Sequence, residues 1–259
     1  MKAPVIIIGI GEMGSTFARG FLRLGRPVYP ATRNTDLRTL AQKIPSPAVV
    51  LIAVAESDLQ AVLKQIPHAW ESRLALLQNE LLPRDFTHLD DPTVISVWFE
   101  KKPGQDAKVI IPSPVFGPNS QLLHDALDAI NIPVRLLDRR EQLEFELVVK
   151  NLYILTTNIA GMITHGTIGT LWNQHQQLAH EVAADVITLQ QAMTGHTYDH
   201  DALINAMVRA FDGDTEHQCM GRSAPARLKR ALRHADNFRL PVPALHRIVS
   251  QLAHSEPSS

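Results

Sequence analysis

In the first half of the chain, apolar residues fall in short unbroken runs separated by turn residues and amphipathic stretches. Val5-Ile6-Ile7-Ile8 leads into Gly9-Ile10-Gly11-Glu12-Met13-Gly14, and a helical apolar period runs from Ser15 to Leu24. The same alternation continues. Pro27–Thr32, Ala48–Ala55, Arg73–Gln78, Thr93–Phe99 and Lys108–Ile111 are predicted strands, and Asp36–Lys43 and Asp58–Gln65 predicted helices with Asp36 and Ser57 or Asp58 as caps. Proline punctuates Pro112 to Pro118 as a turn, after which a helix over Ser120–Ile130 and a strand over Pro133–Leu137 are expected. Runs apolar throughout, alternating with helices, predict a parallel, doubly wound sheet covered on both faces. Pro30 sits awkwardly in this scheme, because a central strand should not lose a donor.

After Asp138 the period becomes helical and strand-like runs stop. Helices are predicted over Glu141–Thr164, Leu171–Thr194, Asp201–Ala210, Ala224–Asn237 and Ala244–His254. The expected organisation is an α/β domain over residues 1–138, a smaller all-helical domain over 139–254 and a disordered tail over 255–259. No internal repeat or low-complexity linker interrupts it.

Composition narrows the function classes. The 25 basic and 26 acidic residues nearly cancel, so no electrostatic footprint for nucleic acid or an anionic membrane is expected. No apolar run approaches the ~20 residues of a spanning helix. A single cysteine, Cys219, excludes an intramolecular disulfide framework and fits a reducing, cytoplasmic setting.

The strand, glycine turn and helix at the start have the order and spacing of a dinucleotide-binding unit. Gly9 permits the turn out of the strand, Gly11 lets backbone approach a pyrophosphate, and Gly14 lets the helix pack close to the sheet. The N–H groups of Glu12 and Met13 at the helix start face the phosphates. An NAD-specific unit carries an acid about 20 positions further on, at the end of strand two, for the ribose hydroxyls. Between Glu12 and Asp36 there is none, and strand two ends Ala31-Thr32-Arg33-Asn34. Arg33 offers a charged fork suited to a 2′-phosphate, so the expected cofactor is NADP (as NADPH).

Ligands of open α/β sheets bind outside the carboxyl ends of the strands. Strand four delivers Gln78 and Asn79 there, and strand five Glu100 and Lys101. On the mostly apolar helix Glu141–Thr164, Lys150 and Thr157 lie nearly in line and Asn158 about a quarter-turn away. Two readings of Lys150 stand: an ammonium held among apolar neighbours by a partner, or a side chain reaching water from a half-exposed helix. His196 and His200 have metal-ligand spacing but fall in a loop beside Asp201, which reads as a cap. No metal site is expected there, nor at His217 and Cys219. No Gly-x-Ser-x-Gly elbow is present.

With the glycine turn, Gln78-Asn79, Lys150 and Asn158 in place, the sequence resembles the ketopantoate reductase family over most of its length. Thr215-Glu216 matches a Thr-Glu pair near that family's C-terminus, and Leu240-Pro241-Val242-Pro243 its closing segment. The resemblance implies an N-terminal Rossmann domain followed by a helical domain of the 6-phosphogluconate dehydrogenase C-terminal type, and possible homodimerisation through that helical half. It implies hydride transfer from NADPH to a small 2-oxo acid or related carbonyl. Lys150 would be the general acid, Glu216 the carboxylate that orients it and binds substrate, and Asn79 and Asn158, with Thr157, polar groups at the cleft. Departures touch the substrate part. Ile154 stands where a second asparagine is usual, Glu80 where a glycine follows Gln-Asn, and Leu203–Met207 lacks the serine that grips the substrate carboxylate. A lysine common after strand three is missing near Ala55-Glu56, and the chain is short between Asn79 and Ser120. The alternatives are a non-catalytic NADP-binding sensor or interaction protein on this fold, and a reductase of an imine or other carbonyl.

Overall fold

The computed structural model describes residues 2–255, with the side chain of Ser255 excluded. The tail expected to be disordered lies outside the described residues but for the backbone of Ser255. The chain divides into two compact units, Met1–Leu147 and Val148–Ser259.

The first unit is built on strands β1 (Val5–Ile8), β2 (Val28–Ala31), β3 (Val49–Ile52), β4 (Leu74–Leu76), β5 (Thr93–Ile95), β8 (Ser113–Phe116) and β9 (Val134–Leu136), ordered β2-β1-β3-β4-β5-β8-β9. β6 (Phe99–Glu100) and β7 (Lys108–Val109) form a separate hairpin. Helices α1 (Glu12–Arg23), α2 (Leu37–Lys43), α3 (Leu59–Leu63) and α4 (Ser120–Asp128) complete it. Alternate residues of a strand face opposite sides, and each side of β1 has its own core. Val5 and Ile7 join Val49, Leu51, Phe17, Phe21, Leu123 and Leu127. Ile6 and Ile8 join Val50, Ile52, Leu37, Leu59, Leu63 and Trp70. Unbroken apolar runs are therefore what this sheet requires. At Gly20 a Cβ would lie 2.1 Å from the Ala126 carbonyl oxygen, so α1 and α4 touch backbone to backbone.

Three strand expectations change. The sheet is mixed, because β5 and β8 run antiparallel. Pro112–Pro118 is not only a turn: β8 lies within it, and Pro114 accepts a hydrogen bond from Ser96 N at 2.9 Å while offering no donor, so the β5–β8 ladder is short. Thr93–Phe99 and Lys108–Ile111 do not both enter the sheet. Phe99-Glu100 turns back on Lys108-Val109, a local pairing with little loop to close. Pro30 is explained, since β2 is an edge strand and one of its sides has no ladder to serve.

The helix α5 (Arg140–Thr164) begins within the first unit and continues into the second. Gln142 Oε1 accepts from the backbone N–H groups of Asp138 and Arg139 at 2.9 and 3.0 Å and fixes its start. The change of pattern at residue 138 marks where strands end, whereas the units divide after Leu147. Leu143 and Leu147 still pack in the α/β core. By length and apolarity α5 alone among the described helices could cross a membrane, with a mean hydropathy of 1.2 in its most apolar stretch. That stretch is 72% buried inside the protein, so its apolar surface is already covered.

The second unit continues with α6 (Ile168–Gln174), α7 (Gln176–Thr194), α8 (His200–Gly213), α9 (Ala224–Phe238) and α10 (Pro243–Ser255). The helix expected over Leu171–Thr194 is two, broken at His175. Asn173 to Gln177 are all polar, so no apolar period reports the break. Asp199, not Asp201, caps α8, accepting from Ala202 N at 3.1 Å. α7 packs against α6, α9 and α10.

Buried Asp185 on α7 caps α10, its Oδ2 accepting from Ala244 N at 2.8 Å and Leu245 N at 3.0 Å. Burial raises its pKa despite these bonds. Its contribution is thus greatest below the usual carboxylate range and is lost as pH rises through the raised folded value. Asp185→Ala leaves two buried donors unmet and is expected to cost about 2–4 kcal/mol in denaturant melts. Asp185→Asn, which keeps an acceptor, should cost less and flatten the acid limb of the stability profile.

Candidate active site

In the first unit the glycine turn has the conformation its residues predict. β2 lies on one side of β1 and β3 on the other, so the chain reverses its strand order at β1, where open α/β sheets bind ligands. Gly9 has φ +93°, and a Cβ there would lie 2.8 Å from the Ala53 carbonyl oxygen at the end of β3. At Gly14 it would lie 2.1 Å from the Gly9 oxygen, whereas at Gly11 it would meet nothing within 4 Å. No side chain caps α1, whose first intrahelical bond runs from Ser15 N to Gly11 O at 2.8 Å. The N–H groups of Glu12, Met13 and Gly14 precede that bond. Open backbone and an uncapped helix start fit a dinucleotide pyrophosphate.

Glu12 is not a solitary acid in this turn. Lys101, from the β6–β7 hairpin, reaches it at 3.2 Å with only 20% of its side chain exposed. The sequence put Lys101 at a strand end with no partner in view, and only the hairpin's return brings its ammonium to the helix start.

Past β2, Thr32 and Thr35 close a tight turn. It presents Arg33 with 93% of its side chain exposed and a 3.4 Å contact to Asp58. Asp36 is occupied as the α2 cap, accepting from Arg38 N at 3.0 Å and Thr39 Oγ1 at 2.7 Å. Those hydrogen bonds, Thr39's foremost, lower its pKa.

Gln78 is buried and its amide is committed. Nε2 donates to the carbonyls of Ile52 at 2.7 Å and Val54 at 3.3 Å, tying the end of β4 to that of β3. Asn79 follows, exposed. Glu80 then takes φ +56°, the left-handed region that favours glycine.

In the second unit, α5 carries Lys150 half-buried, its Nζ 5.7 Å from the centre of the Tyr153 ring. The side chain is partly covered, and an aromatic face attracts the cation. Thr157 is buried and its hydroxyl donates to the Tyr153 carbonyl at 2.8 Å, so its polar atom is used within the helix. Asn158 is 9% exposed and its Oδ1 accepts from Arg227 Nη1 at 2.9 Å. Ile154 is buried with the apolar face.

Thr215 and Glu216 stand on a turn held against the start of α6. Gly169 N donates to Thr215 O at 2.8 Å, Ile168 N to His217 O at 2.9 Å, and Cys219 N to Gly166 O at 3.1 Å. A Cβ at Gly161 would lie 2.7 Å from that of Cys219, so the segment is seated directly on α5. Glu216 itself is exposed, with no hydrogen bond or ion pair to another side chain among the described residues. The ring of its neighbour His217 is 6.4 Å from that of Tyr153, and its Nδ1 is 3.7 Å from the buried Asp214 Oδ2. The sequence offered His217 only as a poor metal ligand, and the spacing gave no sign of Tyr153 beside it. Burial pushes the Cys219 thiol up to about 11. Among the described residues no group of three His, Cys, Asp or Glu could hold a metal ion.

The fold is thus a Rossmann-like α/β unit continued by a helical unit. Solved structures share it over nearly their whole length. One is a dimeric ketopantoate reductase from Staphylococcus aureus, with a TM-score of 0.66, 18% identity, and 97% of this chain and 98% of that one covered. Another is a 2-dehydropantoate 2-reductase from Methylococcus capsulatus, with a TM-score of 0.69, 11% identity, and 98% of each chain covered. A D-mandelate dehydrogenase in complex with NADH gives a TM-score of 0.65 at 13% identity, covering 97% of this chain and 98% of that one. No protein-family model and no curated protein matches the sequence.

Proposed function

We propose that the protein is an NADP-dependent oxidoreductase that reduces the carbonyl of a small 2-oxo acid, with Lys150 as general acid. The observation that carries the reading is Lys150 itself, an ammonium half-buried on a mostly apolar helix with the Tyr153 ring at 5.7 Å. The fold is shared with reductases and a dehydrogenase whose names denote 2-oxo and 2-hydroxy acid chemistry, which supports the substrate class.

A bound reduced nicotinamide supplies the hydride. Gly9, Gly11 and Gly14 shape the pyrophosphate turn, the N–H groups of Glu12 and Met13 meet the phosphates, and Arg33 takes the 2′-phosphate. Gln78 keeps the ends of β3 and β4 in register beneath the turn, and Asn79 donates to the bound ligands. As the substrate oxygen gathers charge, the Lys150 ammonium stabilises it and delivers the proton. Glu216, exposed and without an ion pair to another side chain among the described residues, would bind the substrate and orient the lysine once ligands are bound, and Asn158 would bind the substrate as well. A cytoplasmic setting accords with the single, buried cysteine, and a homodimer with the dimeric state of the Staphylococcus aureus enzyme.

NADPH oxidation against a panel of 2-oxo acids that includes ketopantoate tests the reading. Saturable turnover of at least one acid supports it. Silence across the panel despite tight NADPH binding overturns it in favour of a sensor. Cofactor choice is checked separately: Arg33→Ala should weaken NADPH about tenfold or more by calorimetry, while the NADPH-to-NADH preference collapses. An unchanged preference removes Arg33 from the site.

A further inference from the structure

We propose that Lys101 is a cofactor-positioning residue: paired with Glu12, it cancels the carboxylate at the start of α1 and leaves that end of the helix to the dinucleotide pyrophosphate. This rests on the dinucleotide binding proposed above and extends that site to a residue outside the glycine turn.

Glu12 is the first residue of α1, and 43% of its side chain is exposed at the turn. A carboxylate is favoured at a helix start for the same reason that a phosphate is, so the two compete for one positive end. Left without a counter-charge, Glu12 would also repel a ligand carrying two linked phosphates. Lys101 supplies that charge, its Nζ 3.2 Å from Glu12 Oε2 and only 20% of its side chain exposed. Nζ also donates to the Lys102 carbonyl at 2.8 Å, so two contacts fix where the ammonium stands. Neither contact uses the backbone N–H groups of Glu12, Met13 and Gly14.

The hairpin that carries Lys101 is itself seated on α1. β6 and β7 pair with each other and not with the seven-stranded sheet, so side chains set their place. Phe99, two residues before Lys101, is buried in the same core as Phe17 of α1, with the ring centres 6.4 Å apart. Trp98 N donates to Ser113 Oγ at 2.9 Å, and Ile110 N to Trp98 O at 2.9 Å, which ties the hairpin's base to β8. The ion pair therefore spans a joint that aromatic packing already holds. Its lysine is mostly covered, so solvent screens the pair less than a surface pair. Cofactor affinity should then follow the summed charge of the two side chains.

The experiment titrates NADPH and NADH calorimetrically into the full chain, a readout that needs no turnover. Lys101→Met leaves the carboxylate alone and should weaken both dinucleotides alike, about 5- to 30-fold. Glu12→Gln leaves the ammonium alone and should tighten both. The double variant, neutral like the wild-type pair, should return to within about twofold of wild type. A pair that only braces the turn gives another pattern: Glu12→Gln weakens binding as Lys101→Met does, and the double variant is no better. The Lys101→Met loss should shrink as salt rises from about 0.05 M to about 0.5 M. Lys43→Met makes the same charge change at the exposed end of α2, toward the amino ends of the strands, and should leave affinity unchanged. Lys101→Gln repeats the measurement should Lys101→Met lower the Tm of the unliganded protein. Wild-type binding that loss of the Lys101 charge leaves equally tight, or that Glu12→Gln weakens, overturns the positioning role and spares the cofactor reading. A loss confined to NADPH overturns it too, because the ammonium then meets the 2′-phosphate. Binding of neither dinucleotide by the wild-type protein overturns the cofactor reading and this role with it. The expected pattern without turnover of any 2-oxo acid supports the role and sinks the reductase.

Discussion

Lys150→Ala is expected to lower turnover with every accepted carbonyl substrate by about a thousandfold, within the range of an acid that both donates a proton and stabilises developing charge. NADPH affinity should change little, because the glycine turn that would hold the dinucleotide lies in the first unit and Lys150 in the second. Lys150→Arg separates the two contributions. It keeps a cation near the Tyr153 ring but has no proton to give at neutral pH, so a small fraction of the rate should return, without the pH dependence of the wild-type protein. The measurements are steady-state kinetics across pH and calorimetric NADPH titration. If Lys150→Ala keeps more than about a tenth of the wild-type rate, the loss is below the usual contribution of a positioned acid and the proton comes from elsewhere. His217, whose ring is 6.4 Å from that of Tyr153, is then the next group to replace.

The glycine turn gives the second large effect, and two neighbouring glycines should respond differently. A Cβ at Gly11 meets nothing within 4 Å, so Gly11→Ala should fold with an unchanged Tm. It should still weaken NADPH by about tenfold or more, since the open space is where the pyrophosphate backbone contact would form. At Gly14 the Cβ would lie 2.1 Å from the Gly9 carbonyl oxygen, an impossible approach without backbone movement. Gly14→Ala should therefore lose both cofactor binding and about 1–3 kcal/mol of stability, the usual range for overpacking. Thermal melts with and without NADPH read both. Equal NADPH stabilisation of wild-type and Gly11→Ala protein would place the dinucleotide somewhere other than this turn.

The departure of Glu80 from the resembled pattern has a visible backbone cost. At φ +56° it holds the left-handed conformation that a glycine would take without penalty, about 1–2 kcal/mol for a residue with a Cβ. The sequence noted the missing glycine. It could not show that the backbone had kept the glycine's shape.

Gln78 and Thr157 make a related point. Both are candidate site residues by position, Gln78 at the carboxyl end of strand four and Thr157 in line with Lys150 along α5. In the fold, Gln78 holds the carbonyls of Ile52 and Val54, and Thr157 bonds back to Tyr153. The Gln78 amide ties two neighbouring strands together, whereas the Thr157 hydroxyl bonds back within its own helix, and sequence spacing distinguishes neither use from a ligand contact.

The sequence by itself determined the alternating and then helical organisation, the shape of the glycine turn, and the placing of Arg33 past the second strand. All of these are local consequences of side-chain period, glycine stereochemistry and chain order. The tertiary structure alone decided that β8 runs antiparallel through a proline-rich segment and that α5 carries Leu143 and Leu147 into the α/β core. It also decided that Lys101 meets Glu12 and Arg227 meets Asn158. Those pairs are joined by packing between elements far apart in the chain, and neither residue's neighbours in sequence carry any trace of the partner.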